Sequence, residues 1–348
     1  MQTLETLKRN IKNADDLANV VRTMKTLAAV SIRQYETATE SLNVYAQTID
    51  TGLGMVLRRL KTADRNNGGS VDADIAAAPQ ITTACSVDTI ADAAKLIPAS
   101  HRFPSAGSYY SNDSTVELQE PTSGRTGAVV FGSDQGMCGQ FNEQIAHFTA
   151  ISLSEATGRT PRMNPVLCVG HRVEDAIVIA GLQVECTFRL PGSAGGITSL
   201  VQDLLPAIDE WREAHDIVRI LVFHNRRVSA SGCRPDVMQL LPLNTSQLRN
   251  TAEEDTQTVS RSLPTWSMDT GILFSRLVKQ FLFVSLFRAC AESLAGENAS
   301  RIAAMQAAER NIRDRLHDLR ADYAARRQTT ITEELLDVVT GFEALNPA

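Results

Sequence analysis

The stretch ASRIAAMQAAERNIRDRLHDLRADYAARRQTTITEELLDVVTGFEAL (Ala299–Leu345) decides the fold. Ile302, Met305, Ala308, Ile312, Leu316, Leu319 and Tyr323 recur at spacings of 3, 3, 4, 4, 3 and 4. Ile331, Leu335, Val338 and Phe342 then resume the row at 4, 3 and 4. That is the period of one helical face. The polar cluster Arg326, Arg327 and Gln328 separates the two rows. No proline occurs from 265 to 346, so nothing there breaks a helix. At 1.5 Å per residue, about 75 residues of helix reach about 110 Å. A globular core cannot wrap such a rod along its length, so the stripe needs another long helix beside it.

The other end of the chain supplies the candidate. Residues 1–78 also lack proline. Leu4, Leu7, Ile11, Ala14, Ala18 and Val21 recur at 3, 4, 3, 4 and 3, and a parallel row of Leu17, Val20, Met24 and Leu27 is expected to widen the buried stripe. Only Gly52 and Gly54 interrupt the pattern. The two ends are predicted to pair as an antiparallel coiled coil, because the middle must return the chain to its start. Two ordinary bundle helices are the alternative.

The middle has a different texture. It carries eleven of the 12 prolines, from Pro79 to Pro264. Apolar runs at Gly127–Phe131, Val166–Val169, Ile217–Phe223 and Val237–Leu241 read as strands, with helical patterns at 141–153, 171–181 and 197–214 between them. Strands alternating with helices predict an α/β body around a Rossmann-like parallel sheet. The expected organisation is an N-terminal shaft helix over 1–62, an irregular inserted segment over 63–124, an α/β foot domain over 125–267 and a C-terminal shaft helix over 268–346. The inserted segment is rich in Ala, Ser, Asn, Thr, Gly and Pro, with a short helix expected near Val87–Leu96.

Composition removes several function classes. The 348 residues carry a net charge of −6 and only 5% aromatic residues, so neither phosphates nor stacked bases find a general platform. Residues 1–62 are nevertheless net +3, a basic element in an acidic protein. The six cysteines contain no CxxC pair and read as reduced, mostly buried thiols. The start, MQTLETLKRN, resembles neither a secretory signal nor a transit peptide. The longest apolar run, Phe281–Phe287, is interrupted by Ser285 and too short to span a bilayer. A soluble protein, peripheral to a membrane at most, is expected.

The motif best placed for chemistry is GSDQGMCGQFN (Gly132–Asn142), after a strand and before a helix, where phosphate loops sit. It lacks the Gly-Lys-Ser/Thr of a P-loop, since Gln140 and Phe141 follow Gly139, and Gly132, Gly136 and Gly139 miss the dinucleotide spacing. A turn needing glycines for close backbone approach is the preferred reading. Ser133, Asp134, Gly136, Cys138 and Gly139 are the residues that such a turn would use. Asp134 stands where catalytic carboxylates often lie but has no partner in sequence, and Cys138 has no base. The six histidines show no metal spacing, and LPGSAGG (Leu190–Gly196) has no partnering Lys. No catalytic residue, metal or cofactor is expected. Long helices on a body without catalytic groups point to mechanical or scaffolding work, with a Rossmann-like nucleotide enzyme bearing coiled-coil arms, or an unrelated coiled-coil scaffold, as competitors.

The run SLAGENASRIAAMQAAERNIRDRL…YAARRQTTITEELLDVVTGFEAL closely resembles the gamma subunit of F-type ATP synthases. LKRNIKNADDLANVVRTMKTLAAVSIR resembles that family's first shaft helix, GSDQGMCGQFN its signature after the first strand, and LLPL (Leu240–Leu243) also has a counterpart. The resemblance covers about 1–62 and 125–346. It implies a central rotor stalk turning inside a hexamer of alternating alpha and beta subunits. The foot would meet the epsilon subunit and the c-subunit ring, peripheral on the cytoplasmic face of a bacterial or archaeal plasma membrane. It implies no catalysis by the chain itself, no nucleic-acid partner and no direct membrane insertion. Met24 and Lys25 match the family's region facing the beta subunits, and Arg327, Gln328, Thr332 and Glu334 match its C-terminal contact positions. The chain departs from the family at DDLANVV (Asp15–Val21), at Gln135 and Gln140, and in the length of 63–124. Only Cys85 lies in that segment, so a thiol switch is not implied.

Overall fold

The computed structural model describes residues 3–67, 125–157, 164–229, 232–243 and 266–345. Helix α1 spans Leu4–Asn67 and helix α5 spans Thr270–Leu345, 64 and 76 residues respectively. The first helix thus continues past the boundary expected at 62. Most of the segment expected to be irregular, with its short helix near 87–96, lies outside the described residues. Between the long helices come β1 (Arg125–Phe131), α2 (Phe141–Thr157), β2 (Pro165–Val169), α3 (His171–Ile179), β3 (Gln183–Phe188), α4 (Ile197–His215), β4 (Ile217–Arg227) and β5 (Cys233–Leu241).

The sheet order is β3-β2-β1-β4-β5. The first four strands are parallel, but β5 runs antiparallel to β4, so the sheet is mixed rather than purely parallel. The reason is connection length. Only residues 228–232 separate β4 from β5, and a parallel return needs a crossover of a dozen or more. β3 escaped the sequence reading because it is an edge strand, QVECTF, with polar residues among its apolar ones. Helices cover both faces. Val129, Phe131, Ile220 and Val222 pack with α1, α4 and α5, while Ala128, Val130, Leu221 and Phe223 pack with α2 and α3.

The long helices pack side by side in opposite directions. Asp15 meets Arg320 at 3.2 Å, Lys25 meets Glu309 at 2.6 Å and Tyr45 meets Gln280 at 3.0 Å. Partner numbers fall on α5 as they rise on α1. Leu7, Val21, Ala28, Ile32, Tyr35, Ile49, Leu53, Val56 and Leu57 form the buried row of α1. The parallel row does not widen it as expected, since Leu17 is 52% and Leu27 63% exposed. Two straight helices in contact share only a narrow seam. On α5, Met305, Leu316 and Leu319 are buried, whereas Ile331, Leu335, Val338 and Phe342 are exposed. The register explains this. Arg320 lies level with Asp15, so Ile331 lies level with Leu4, where α1 begins. Beyond that point α5 projects by about 20 Å without a companion among the described residues.

One stretch of α5 is long and apolar enough, by length and composition, to pass for a membrane span, which the expectation from Phe281–Phe287 alone did not register. In the fold 33% of that stretch is buried, and Val278, Leu282, Val284, Leu286 and Ala289 of α5 lie against α1 and the sheet.

Leu53 is fully buried where α1 meets the body. Leu53→Ala should destabilise the chain by about 2–5 kcal/mol, and exposed Leu27→Ala by less than about 0.5 kcal/mol. Denaturant unfolding of both variants checks the contrast; equal losses would place both rows inside.

Candidate functional site

The turn after β1 is closed by its own side chains. The Asp134 carboxylate accepts hydrogen bonds from the His171 amide at 2.8 Å and the Leu190 amide at 2.9 Å, tying the start of α3 to the end of β3. Ser133, fully buried, donates its amide to Asn142 Oδ1 at 3.1 Å, and its hydroxyl accepts from Asn142 Nδ2 at 2.8 Å. Cys138 Sγ lies 3.6 Å from Ser133 Oγ, and burial pushes its thiol up, away from the thiolate a nucleophile needs. Gly139 has φ +63°, a left-handed conformation that costs glycine little. At Gly132 an added Cβ would sit 2.2 Å from Val173 Cβ, so glycine is what lets α3 approach the strand end. Gly136 has open space around it, with only the Arg172 guanidinium near. Ser133, Asp134 and Asn142 are thus engaged in bracing the fold. Of the other thiols, Cys168 and Cys290 are buried while Cys186 is exposed.

In open α/β sheets a ligand binds outside the carboxyl ends of the strands, where the strand order reverses. Here that place lies between β1 and β4, and α5 crosses it. Ser293 donates to the Phe131 carbonyl at 3.4 Å, and Gly296 passes so close to β4 that an added Cβ would be 2.9 Å from the Asn225 carbonyl. Cys233 and Ser300 lie 3.1 Å apart. Glu297 and Arg301 form a buried pair there; burial pushes Glu297 up, against the pull of Arg301. The crevice in which a Rossmann-like enzyme would hold a nucleotide is filled by a helix of the same chain.

Just below, a charged cluster joins the long helices to the sheet. Glu292 accepts from Arg288 Nε at 2.8 Å and lies 3.1 Å from His224 Nε2. Burial works to raise the Glu292 carboxyl, but His224 and Arg288 outweigh it and hold it at about 2. Burial pushes Asp50 of α1 up to about 6, with Arg288 pulling the other way. Arg227, near the tip of the β4–β5 hairpin, pairs with Glu36 of α1. The sequence reading missed this cluster. Its trace was there: Glu292 and Glu297 interrupt an otherwise apolar stretch, FLFVSLFRACAESLAGENAS.

The residues matched by resemblance fall at two levels of the helix pair. Lys25 is paired with Glu309 and Met24 is half-buried beside it. Arg327, Gln328, Thr332 and Glu334 are all exposed on α5. Thr332 donates to the Gln328 carbonyl at 2.9 Å. From Glu309 to Arg327 is eighteen residues, about 27 Å along the axis, so these are separate contact levels, not one site.

A family model described as ATP synthase matches residues 3–345. The ATP synthase gamma chain of Rhizobium etli is 24% identical over 349 residues, covering 99% of this chain and all of that one. The ATP synthase gamma chain of Bartonella quintana is 29% identical over 230 residues, 62% of this chain and 74% of that one. Among solved structures, a cryo-EM chain of the Euglena gracilis mitochondrial ATP synthase OSCP/F1/c-ring has the same fold, with TM-score 0.54 and 14% identity over 98% of this chain and 94% of that one. A chain of the Euglena gracilis rotor aligns with TM-score 0.52 and 12% identity over 94% and 98%.

Two outcomes follow from the geometry. Asp134→Ala leaves two backbone amides without their charged acceptor and should cost about 2–4 kcal/mol by denaturant unfolding, with Asp134→Asn recovering part of it. Because Asp50 is raised in the fold, its contribution is full at acid pH and falls as pH rises from about 4 to about 6. Asp50→Asn should therefore match wild type near pH 4 and exceed it by about 1–3 kcal/mol at pH 7. Parallel pH–stability curves for the two proteins would exclude this. Glu292, held low, acts oppositely, its contribution being lost only as pH falls from the ordinary carboxylate range towards 2.

Proposed function

We infer the function from one premise: the chain belongs to the ATP synthase gamma-chain family, and it is the central rotor stalk of an F-type ATP synthase, a component of a rotary ATPase complex. The observation that carries the mechanical reading is the bare end of α5. Ile331, Leu335, Leu336, Val338, Val339 and Phe342 stay exposed on a single helix that has outrun its partner. An apolar surface of this kind marks a contact with another protein.

In this reading α1 and α5 form an antiparallel coiled coil, the shaft, whose ends correspond to 1–62 and 268–346. Residues 125–267 form the foot, and 63–124 is an insertion between shaft and foot. The bare end of α5 turns inside a hexamer of alternating alpha and beta subunits, and the foot engages the epsilon subunit and the c-subunit ring. The complex sits peripherally on the cytoplasmic face of a bacterial or archaeal plasma membrane, and the chain itself does not insert. Ion flow through the membrane sector turns the shaft, whose asymmetry drives each beta subunit in turn through its nucleotide-binding conformations. Hydrolysis turns it the other way. The chain makes and breaks no bond of ATP; a crevice filled by Ser293, Gly296 and Glu297 is consistent with that role.

Met24 and Lys25 at one level, and Arg327, Gln328, Thr332 and Glu334 at the other, are the proposed contacts with the hexamer. A rotating surface must make and release its contacts in every step. Exposed hydrogen-bonding side chains suit this, because water replaces each lost partner at little net cost. A wholly apolar collar would hold one orientation.

The Arg327→Ala, Gln328→Ala double variant should fold and assemble as wild type, because neither side chain packs within the chain. ATP-driven ion pumping by the reconstituted complex should fall at least several-fold. Pumping at the wild-type rate would sink the contact assignment.

A further inference from the structure

Arg219 belongs neither to the turn after β1 nor to the charged cluster around Glu292. It lies near the start of β4, where the ladder with β1 is irregular. Arg125 pairs with Ile217 and Thr126 pairs with Arg219, leaving Val218 as the extra residue of a bulge. Val218 is 41% exposed, while Arg219 is turned inward and only 8% exposed. Its Nε and Nη2 have no hydrogen-bond partner, and no ion pair to Arg219 occurs among the described residues. Burial alone acts on this guanidinium, lowering its pKa, with no acid set against that effect.

The two unpartnered nitrogens are not arbitrary. Nε and Nη2 share one edge of the guanidinium, the fork that receives both oxygens of a carboxylate in parallel. A buried charge with that edge vacant is costly, and none of the described residues fills it. Arg125, exposed at the preceding ladder position opposite Ile217, lies on the other face of the sheet and does not approach the fork. Asp216, three residues earlier, is exposed at the end of α4 and forms no pair with Arg219. The corner lies away from the bare end of α5. β4 climbs alongside α5, meeting Glu292 at His224 and α1 at Arg227, so Arg219 is about 16 Å further down from His224.

We propose that the amino ends of β1 and β4 form a carboxylate-receiving site, with Arg219 as its fork and Val218 as its apolar rim, occupied by an Asp or Glu side chain of another subunit in the assembly. This rests on the rotor-stalk reading. The observations favour a protein carboxylate over a free anion because the fork is flanked by an exposed valine that only a macromolecular surface would cover. An arginine fork beside a small apolar contact is the composition of an interface. In the chain alone the fork nitrogens are shielded from solvent, so receiving a carboxylate requires the long side chain to turn outward about its own stem.

Carbodiimide coupling of the assembled complex tests this. The residue introduced by Arg219→Lys carries an amine where the fork stood, and should form an amide with an acidic side chain of another subunit, identified by peptide mass spectrometry. Coupling of Lys25 to Glu309, 2.6 Å apart within the chain, is the internal control. If that pair couples while the Arg219→Lys position couples to nothing or only within its own chain, the proposal falls. Arg219→Met should leave the isolated full-length chain at least as stable as wild type, while the complex loses this chain's foot-side partner about tenfold more readily as salt is raised. Unchanged salt resistance overturns the proposal, and so does protection of the wild-type site by millimolar acetate or phosphate with unchanged complex retention, which marks a free-anion site. If wild-type chain fails to assemble with alpha and beta subunits at all, the rotor-stalk premise falls and takes the proposal with it.

Discussion

Everything in this molecule follows from one helix having to pass through three environments. Between Val278 and Ala299, α5 is buried on most of its circumference, with Leu286, Cys290, Ala291, Ser293 and Ala299 all at or near zero exposure. A helix apolar nearly all round must be enclosed, and here α1 and the sheet enclose it. From Met305 to Leu319 only a seam is buried, because only α1 remains beside it. Past Ile331 none of the described residues covers it. The body, the helix pair and the bare end are thus three degrees of burial of one continuous rod.

The enclosed third explains the body's departure from an α/β enzyme. Strand order and crossovers create a crevice at the carboxyl ends of β1 and β4. α5 occupies it, and the chemistry there fits a helix rather than a ligand. Gly296 removes a Cβ that would strike the Asn225 carbonyl, Ser293 satisfies the Phe131 carbonyl, and Asp134 braces the turn beneath through two backbone amides. A crevice that elsewhere is kept open for exchange is here a socket. The charged cluster of Asp50, Arg288, Glu292 and His224 fixes the socket's lower edge in rotation as well as in depth, since it engages α1, α5 and β4 together.

What the sequence made legible divides along the same line. The absence of proline at both ends and the heptad-like spacing of Ile302 to Tyr323 report a helix seam directly, because they are local and periodic. The glycines of the turn after β1 were read for backbone approach; Gly132 against Val173 fits that reading, whereas Gly136 and Gly139 have open space around them. Four features were not legible. The orientation of β5 depends on the shortness of a connection between elements whose limits were read too narrowly, as β4 continues through His224–Arg227. β3 is polar because it is an edge. Leu17 and Leu27 have the period of a buried row but face outward, since amphipathic spacing says which residues share a face and not whether that face has a neighbour. The partnership of Asp50 with the α5 cluster is tertiary, with nothing in its local sequence to announce it.

The distribution of rigidity follows. Pairs such as Lys25–Glu309 and Asp15–Arg320 sit at the margin of the seam, where water competes, so they set register more than they hold the helices together. Cohesion comes from the apolar seam, and the seam narrows steadily from Leu286 to Leu319. The helix pair is therefore stiffest where the body encloses it and most compliant where α5 stands alone. A lone helix has only its own backbone ladder to resist bending, with no packed neighbour to share the load. Torque entering at the body can leave through the bare end only if a surrounding surface supplies the packing that α1 no longer does. The exposed Leu335, Val338 and Phe342 are what such a surface would grip, so the stalk is mechanically complete only inside its partners.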